Sequence, residues 1–197
     1  MPWRPRFENN CTSSVLHSLE VIACYAVHGT ATGPLPSNVR NQLNNLIMAS
    51  NNSTDLTQRP PRSARVRLGG YAILPRMLDK GRAAIAGKLG EYKYACPLDQ
   101  RFLDFAGIDP EALKKELAAG KGDGEILEWI EQNAKNKRAE AEIVAWSELA
   151  DKRAPADVES RGYFNELHQK TAPKREDIVT WFELLDVDDY VSFGGKA

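Results

Sequence analysis

Residues 71–90, with the sequence YAILPRMLDKGRAAIAGKLG, carry the clearest helical pattern of the chain. Apolar side chains recur three and four positions apart along this stretch, which places them on one face of an α-helix. Gly90 then supplies a helix stop. We therefore predict a helix over residues 74–89.

The chain after this helix continues the helical pattern, with proline and glycine at the predicted ends. Cys96 precedes a proline that suits the first helical position, and Asp109 is an N-cap before another proline. Residues 91–95 alternate as a short extended segment would, and the residues after 186 are predicted to form a turn and a short strand. Further helices are predicted to start at Asp123 and to cover residues 136–153, 156–171 and 175–186.

A change in composition marks the limits of the domain. Residues 1–61 are rich in Asn, Ser, Thr and Pro, and their apolar periodicity is weak. No repeat recurs at a fixed period, so residues 62–197 are predicted to form a single compact all-α domain of six or seven helices after a flexible extension. Two interpretations of the extension remain open: Met48 is the true start, which we favour, or residues 12–27 form a short helix followed by a linker.

Charge is distributed unevenly along the chain, although the net charge is −1. Residues 1–101 hold 13 Lys and Arg against 6 Asp and Glu, a net charge of +7, and residues 102–197 hold 13 against 21, a net charge of −8. Either the basic part docks against the acidic part within one fold, which we favour, or it leaves a basic face for phosphate or nucleic acid. Because the acidic part would repel phosphates, specific nucleic-acid binding is not expected.

The remaining composition limits the chemistry. The three cysteines are scattered and form no C-x-x-C pair, which is typical of a reducing compartment, so we expect a cytoplasmic location. No window approaches the apolar length of a membrane-spanning helix. The carboxylates lack the spacing of a calcium loop and His168 stands alone in the helical part, so neither a metal site nor a cofactor is predicted.

Polar residues in and after the first predicted helix are the best candidates for a site. The spacing of Arg76, Asp79 and Lys80 can place a guanidinium and a carboxylate on one helix face. Cys96 lies at a predicted helix N-terminus, where the helix dipole would stabilise a thiolate and make it a nucleophile. Buried thiols that only pack are commoner, and we predict that Cys96 is one of them.

Three long stretches of the chain resemble the bacterial family of unknown function numbered 5069. They are RLGGYAILPRMLDKGRAAIAGKLGEYKYACPLDQRFLDFAGID, GDGEILEWI and APKREDIVTWFELLDVDDY. The resemblance covers residues 60–193 and implies a small cytoplasmic helical domain, but it carries over no activity, cofactor or catalytic residue. The family segments with site potential are Leu74-Pro75-Arg76, Asp79-Lys80 and Cys96-Pro97-Leu98-Asp99.

Two functions are compatible with these residues. The one that we favour is a non-catalytic binding or interaction module that uses the basic region of residues 62–101 for an anionic ligand or a protein partner. The alternative is a small enzyme with a polar pocket around Arg76, Asp79, Cys96 and Asp99. The candidate ligand-binding residues are Tyr71, Arg76, Asp79, Lys80, Tyr94, Cys96 and Asp99.

Overall fold

The computed structural model describes residues 54–197, together with Ser37 and Arg40. Between residues 54 and 197 the chain forms seven helices, which confirms the all-α prediction. The helices are α1 (Leu74–Ile85), α2 (Pro97–Ala106), α3 (Pro110–Ala118), α4 (Asp123–Asn133), α5 (Glu140–Asp151), α6 (Val158–Thr171) and α7 (Trp181–Ser192).

The N-terminal predictions fall mostly beyond this range. Met48 and the predicted helix over residues 12–27 lie outside the described residues. Leu56 is described and buried, and its backbone N–H donates to the carbonyl of Lys88 at 2.9 Å. The chain therefore packs on the helical unit before residue 62.

Helix α1 is buried on nearly every side. Nine of its twelve residues are buried, and it packs against α2 and α3. The residue before it, Ile73, has a φ of 62°, which is rare for a β-branched side chain. The helix ends at Ile85, earlier than predicted, because Gly87 takes a φ of 68° and turns the chain. This helix forms the centre around which the other elements are arranged.

The main core contains a chain of aromatic rings between the first helices and α5. The ring of Tyr71 meets Phe102 edge to face, with centroids 5.2 Å apart. Phe105 of α2 stacks on Trp146 of α5 at 4.9 Å. Offset-stacked and edge-to-face pairs are the preferred aromatic geometries, so these contacts fix α5 against α2.

A second, smaller core lies between α6 and α7, which pack against each other, and α7 also packs against α5. The buried residues of this smaller core are Phe164, Ala172, Ile178, Leu184 and Val187. Trp181, in the first turn of α7, packs on it and meets the ring of Phe164 at 5.3 Å. The position of Trp181 thus depends on where α7 begins.

The C-terminal helix was predicted over residues 175–186 but runs from Trp181 to Ser192, so only residues 181–186 were predicted correctly. Thr180 and Glu183 form a capping box that starts it: Thr180 Oγ1 accepts from the Glu183 N–H at 3.3 Å, and Glu183 Oε2 accepts from the Thr180 N–H at 2.9 Å. Residues 187–192 are helical, Phe193 and Gly194 form a turn, and residues 195–197 form no strand.

Two other local predictions differ from the structure. Residues 91–95 contain turns and no strand, and Ala95 takes a φ of 55°. Helix α5 begins at Glu140 instead of residue 136, because the Asn136 side chain donates to the carbonyls of Asp104 and Phe105 at the end of α2. Among the described residues, no helix has the length and apolar character needed to cross a bilayer.

Replacing Thr180 with alanine is expected to lower the free energy of unfolding by about 1 kcal/mol, because the first turn of α7 loses its side-chain cap. Urea unfolding followed by circular dichroism measures this loss. Thr180→Ser keeps the capping oxygen and should retain most of the stability. An equal loss in both variants would show that the methyl group, and not the cap, is what matters.

Candidate functional site

Arg76 of α1 is buried and forms a two-pronged ion pair with Asp189 of α7. Nη1 donates to Oδ2 at 2.6 Å, and Nη2 donates to Oδ1 at 3.1 Å. The Tyr92 hydroxyl donates to Asp189 Oδ1 at 2.7 Å, and the guanidinium of Arg76 lies 5.5 Å from the Tyr92 ring centroid. Burial and the hydrogen bond to Asp189 raise the pKa of Tyr92. These contacts join α1, the loop after it and α7.

Asp79, also on α1, binds Arg62 from the segment that precedes the helix. Arg62 Nη2 lies 2.7 Å from Asp79 Oδ1, and Arg62 Nε donates to Oδ2 at 2.9 Å. Arg62 also reaches Asp123 at the start of α4 at 2.6 Å, where Arg82 contacts the other carboxylate oxygen at 2.7 Å. Burial raises the pKa of Asp123, but the interactions with the two guanidinium groups of Arg62 and Arg82 outweigh it, and the net shift is downward.

Lys80 and Asp99 are buried between α1 and the start of α2, and they contact Cys96, which is half-buried rather than buried as predicted. The Lys80 ammonium lies 2.7 Å from Asp99 Oδ2 and donates to Cys96 Sγ at 3.3 Å. Asp99 is fully buried and also accepts from the backbone N–H of Cys96 at 3.2 Å. The thiol therefore lies within a set of contacts that fastens α2 to α1.

The two tyrosines among the candidate residues lie apart from these ion pairs. Tyr71 is 5% exposed and belongs to the aromatic core, and burial raises its pKa. The Tyr94 hydroxyl donates to the carbonyl of Pro110 at 2.9 Å. The seven candidates are thus brought together in part: Lys80, Cys96 and Asp99 meet, whereas Arg76 and Asp79 pair with residues outside the candidate set.

Ion pairs join the basic part of the chain to the acidic part. They favour the interpretation that the two parts dock against each other within one fold. Arg67, for example, lies 2.7 Å from Glu148 and 3.1 Å from Asp151 of α5. The pairs that join the basic part to the acidic part are Arg62 with Asp123, Arg65 with Glu183 and Asp186, Arg67 with Glu148 and Asp151, Arg76 with Asp189, and Arg82 with Asp123.

A cleft of about 50 Å³ opens on the surface where α2, α5 and α7 meet. None of the seven candidate residues lines it. Its apolar walls are Trp146 and Leu149 from α5, Leu98 from α2 and Trp181 from α7. Leu149 is 71% exposed, so the cleft has an open apolar rim. The residues that line the cleft are Ile73, Leu98, Arg101, Trp146, Leu149, Ala150, Arg153, Trp181 and Phe182.

Two arginines, Arg101 from α2 and Arg153 just after α5, lie in this cleft. Neither guanidinium forms an ion pair with a carboxylate of residues 54–197. Burial lowers the pKa of Arg101, and the positive charge of Arg153 lowers it further. The cleft therefore combines two like charges with an apolar wall, and an anion placed there would relieve their repulsion.

Sequence reasoning missed this cleft, because its walls come from three separate helices. Trp146 and Trp181 do pack on the cores, but both are only half-buried and present their remaining surface to the cleft. A signal was present: Trp146, Leu149 and Arg153 are spaced i, i+3, i+7 on one helix face. That spacing does not show which other helices form the walls of the cleft.

The described part of the chain is thus an all-α domain with a buried ion-pair network and a mixed cationic and apolar cleft. The chain belongs to the family described as a domain of unknown function (DUF5069), whose model matches residues 58–191. This confirms the family identified by resemblance. A comparison with curated proteins gives no match. Within residues 54–197, no group of three or more His, Cys, Asp and Glu side chains is placed to hold a metal ion.

Replacing Lys80 with methionine is expected to lower the free energy of unfolding by about 3–5 kcal/mol, because it leaves the buried Asp99 carboxylate without its cation. Combining Lys80→Met with Asp99→Asn should cost clearly less than the sum of the two single changes. Urea unfolding of the three variants measures this coupling. Costs that simply add would show that the two side chains do not depend on each other.

Replacing Asp123 with asparagine is expected to flatten the acid side of the stability profile. The native pKa of Asp123 lies below its ordinary value of 3.8, so its carboxylate contributes stability that is complete above about pH 5 and is lost as the pH falls through the native pKa. Unfolding in urea at about pH 6 and about pH 3 should show a smaller loss for the variant. Glu128→Gln is the control and should follow the unmodified protein, because Glu128 is exposed and forms no ion pair with residues 54–197.

Proposed function

We propose that this protein is a cytoplasmic, non-catalytic binding module for an anionic ligand, and that the cleft between α2, α5 and α7 is its binding site. The observation that carries the proposal is the pair of arginines, Arg101 and Arg153, that lie in an apolar cleft without a carboxylate partner among the described residues. The proposal keeps the basic region expected from the sequence but assigns binding to its last residue, Arg101.

The contrast with the other arginines of that region supports this assignment. Arg62, Arg76 and Arg82 are each held by carboxylates of the fold, so an incoming anion would have to displace a protein side chain. Within residues 54–197 Arg101 and Arg153 form no such ion pair, and the charge of Arg153 acts only as a minor cause that lowers the pKa of the exposed Asp157. Guanidinium groups present paired N–H donors that match a carboxylate or phosphate, and such charge-assisted bonds are among the strong ones.

The walls of the cleft are apolar, so a ligand needs an apolar group as well as a negative charge. Trp146 is held by stacking on Phe105, and Trp181 is held by the ring of Phe164. Because these rings are supported from behind, their exposed surfaces are already in place before a ligand arrives. A ligand that carries both an anionic group and an aromatic or aliphatic group would satisfy both parts of the cleft.

The enzyme alternative has less support from the geometry. Arg76, Asp79 and Asp99 are buried, and each is paired with an oppositely charged side chain. A catalytic group has to reach a substrate, and these groups already hold parts of the fold together. The cytoplasmic location in the proposal rests on the scattered cysteines of the sequence.

The proposal is tested with 3-phenylpropanoate, a small acid with one ring, and with its neutral amide. Isothermal titration calorimetry and tryptophan fluorescence should detect binding of the acid and much weaker binding of the amide. Arg101→Gln and Arg153→Gln should each weaken binding of the acid by about tenfold or more, since each removes a charge-assisted hydrogen bond.

The matched control is Arg59→Gln, which removes the same charge from an exposed arginine outside the cleft. It should bind the acid as the unmodified protein does. Equal binding of the acid and the amide, or equal weakening by Arg59→Gln, would contradict the proposed site.

A further inference from the structure

We infer that the natural occupant of this cleft is a segment of a partner polypeptide, in which one large apolar side chain is flanked by carboxylates. The inference rests on the proposed anion-binding function and adds the class of ligand. The anchor side chain would enter between Trp146 and Trp181, and the flanking carboxylates would bind Arg101 and Arg153.

The size of the cleft favours an anchor side chain over a complete small molecule. Sites for small molecules are typically concave pockets of about 300–1,000 Å³ that cover most of the ligand surface. This cleft holds about 50 Å³ and is open at its rim. A single side chain can fill it while the rest of the occupant stays outside, on the surface of the domain.

The apolar surface continues beyond the cleft, which a small ligand would leave uncovered. At the rim of the cleft Leu149 is 71% exposed. Tyr163 of α6 is 62% exposed and stacks on Trp181, with ring centroids 6.3 Å apart. The strip of Leu149, Trp146, Trp181 and Tyr163 therefore crosses three helices, and an extended chain can cover it in one piece.

The residue types in and around the cleft match those that dominate protein interfaces. Tryptophan, tyrosine and arginine are enriched among the residues that contribute most to binding energy, and they cluster around pockets that an anchor side chain fills. The ring of Trp146 stacks on Phe105 at an interplanar angle of 13°, so its position is fixed by the core. Binding to such a preorganised surface costs little ordering of the protein side.

Charge decides the composition of the partner segment. Arg101 comes from α2 and Arg153 from the chain after α5, so the two cations reach the cleft from different walls. Carboxylates on both sides of the apolar anchor can each meet one guanidinium, whereas lysines at those positions would be repelled. The partner is therefore an acidic segment with a single large apolar residue at its centre.

The probe is a fluorescein-labelled peptide, Gly-Ser-Glu-Glu-Phe-Glu-Glu-Gly-Ser, and binding is followed by fluorescence anisotropy with the full chain. We expect it to bind at least about tenfold more tightly than 3-phenylpropanoate, since it covers the apolar strip as well as the cleft. Replacing the phenylalanine of the peptide by serine, or its four glutamates by glutamines, should each weaken binding by about tenfold or more.

Variants of the strip separate the peptide from the small acid. Tyr163→Ser should weaken binding of the peptide and leave binding of 3-phenylpropanoate unchanged, because Tyr163 lies outside the cleft. Val158→Ser, at an 89% exposed position of the same helix, should change neither. Circular dichroism of both variants verifies that α6 is intact.

Several results would overturn the inference. They are peptide binding no tighter than that of the small acid, binding that does not need the phenylalanine, and tighter binding to phosphatidylserine vesicles than to the peptide. If 3-phenylpropanoate still binds through Arg101 and Arg153 in any of these cases, the proposed function stands and only the polypeptide partner is rejected. If the small acid also fails to bind, both proposals are rejected.

Discussion

A central helix that carries three buried charges is the constraint on which this fold depends. A helix surrounded by protein on nearly every side cannot place Arg76, Asp79 and Lys80 in water, and an unpaired buried charge is strongly destabilising. Each of the three is therefore matched by a group from a different part of the chain. The matching groups are Asp189 of α7, Arg62 before α1, and Asp99 of α2. These elements can therefore dock correctly only if their charged groups pair with those of α1.

The arginines fall into two groups, according to whether they form an ion pair in the interior. Those near α1 are held by carboxylates and belong to the framework, whereas Arg101 and Arg153 lie at the surface and have no such role. The framework brings α2, α5 and α7 together, and the cleft lies where the three helices meet. The buried charges are thus used in internal ion pairs, and the two arginines of the cleft lie beside an apolar wall at the surface.

Much of the fold could be predicted from the sequence, because the strong signals were local. Proline and Asp109 marked the helix starts correctly, and apolar periodicity identified the helices. The start of the last helix was misplaced, since the capping pair of Thr180 and Glu183 was not recognised as a helix start. Its acidic residues are helical because Asp189 meets Arg76, a contact across 113 positions that no local pattern contains.

The candidate site was harder to predict for the same reason. The polar residues chosen from the sequence do lie in the interior, but their partners decide their role, and those partners are distant in the chain. Asp123 shows this well: the sequence predicts that a helix starts there, but it does not show that the carboxylate binds two arginines. The cleft is formed by three helices that are separated in the sequence, so it becomes visible only in the folded structure.

The pairing of Arg76 with Asp189 also sets the order of events when the chain is made. The ribosome releases α1 long before α7, so the central helix is synthesised while its carboxylate partner has yet to be added. Until then Arg76 must remain hydrated, and the helices already made cannot close over it. Final packing around Arg76 therefore waits until α7 has been made.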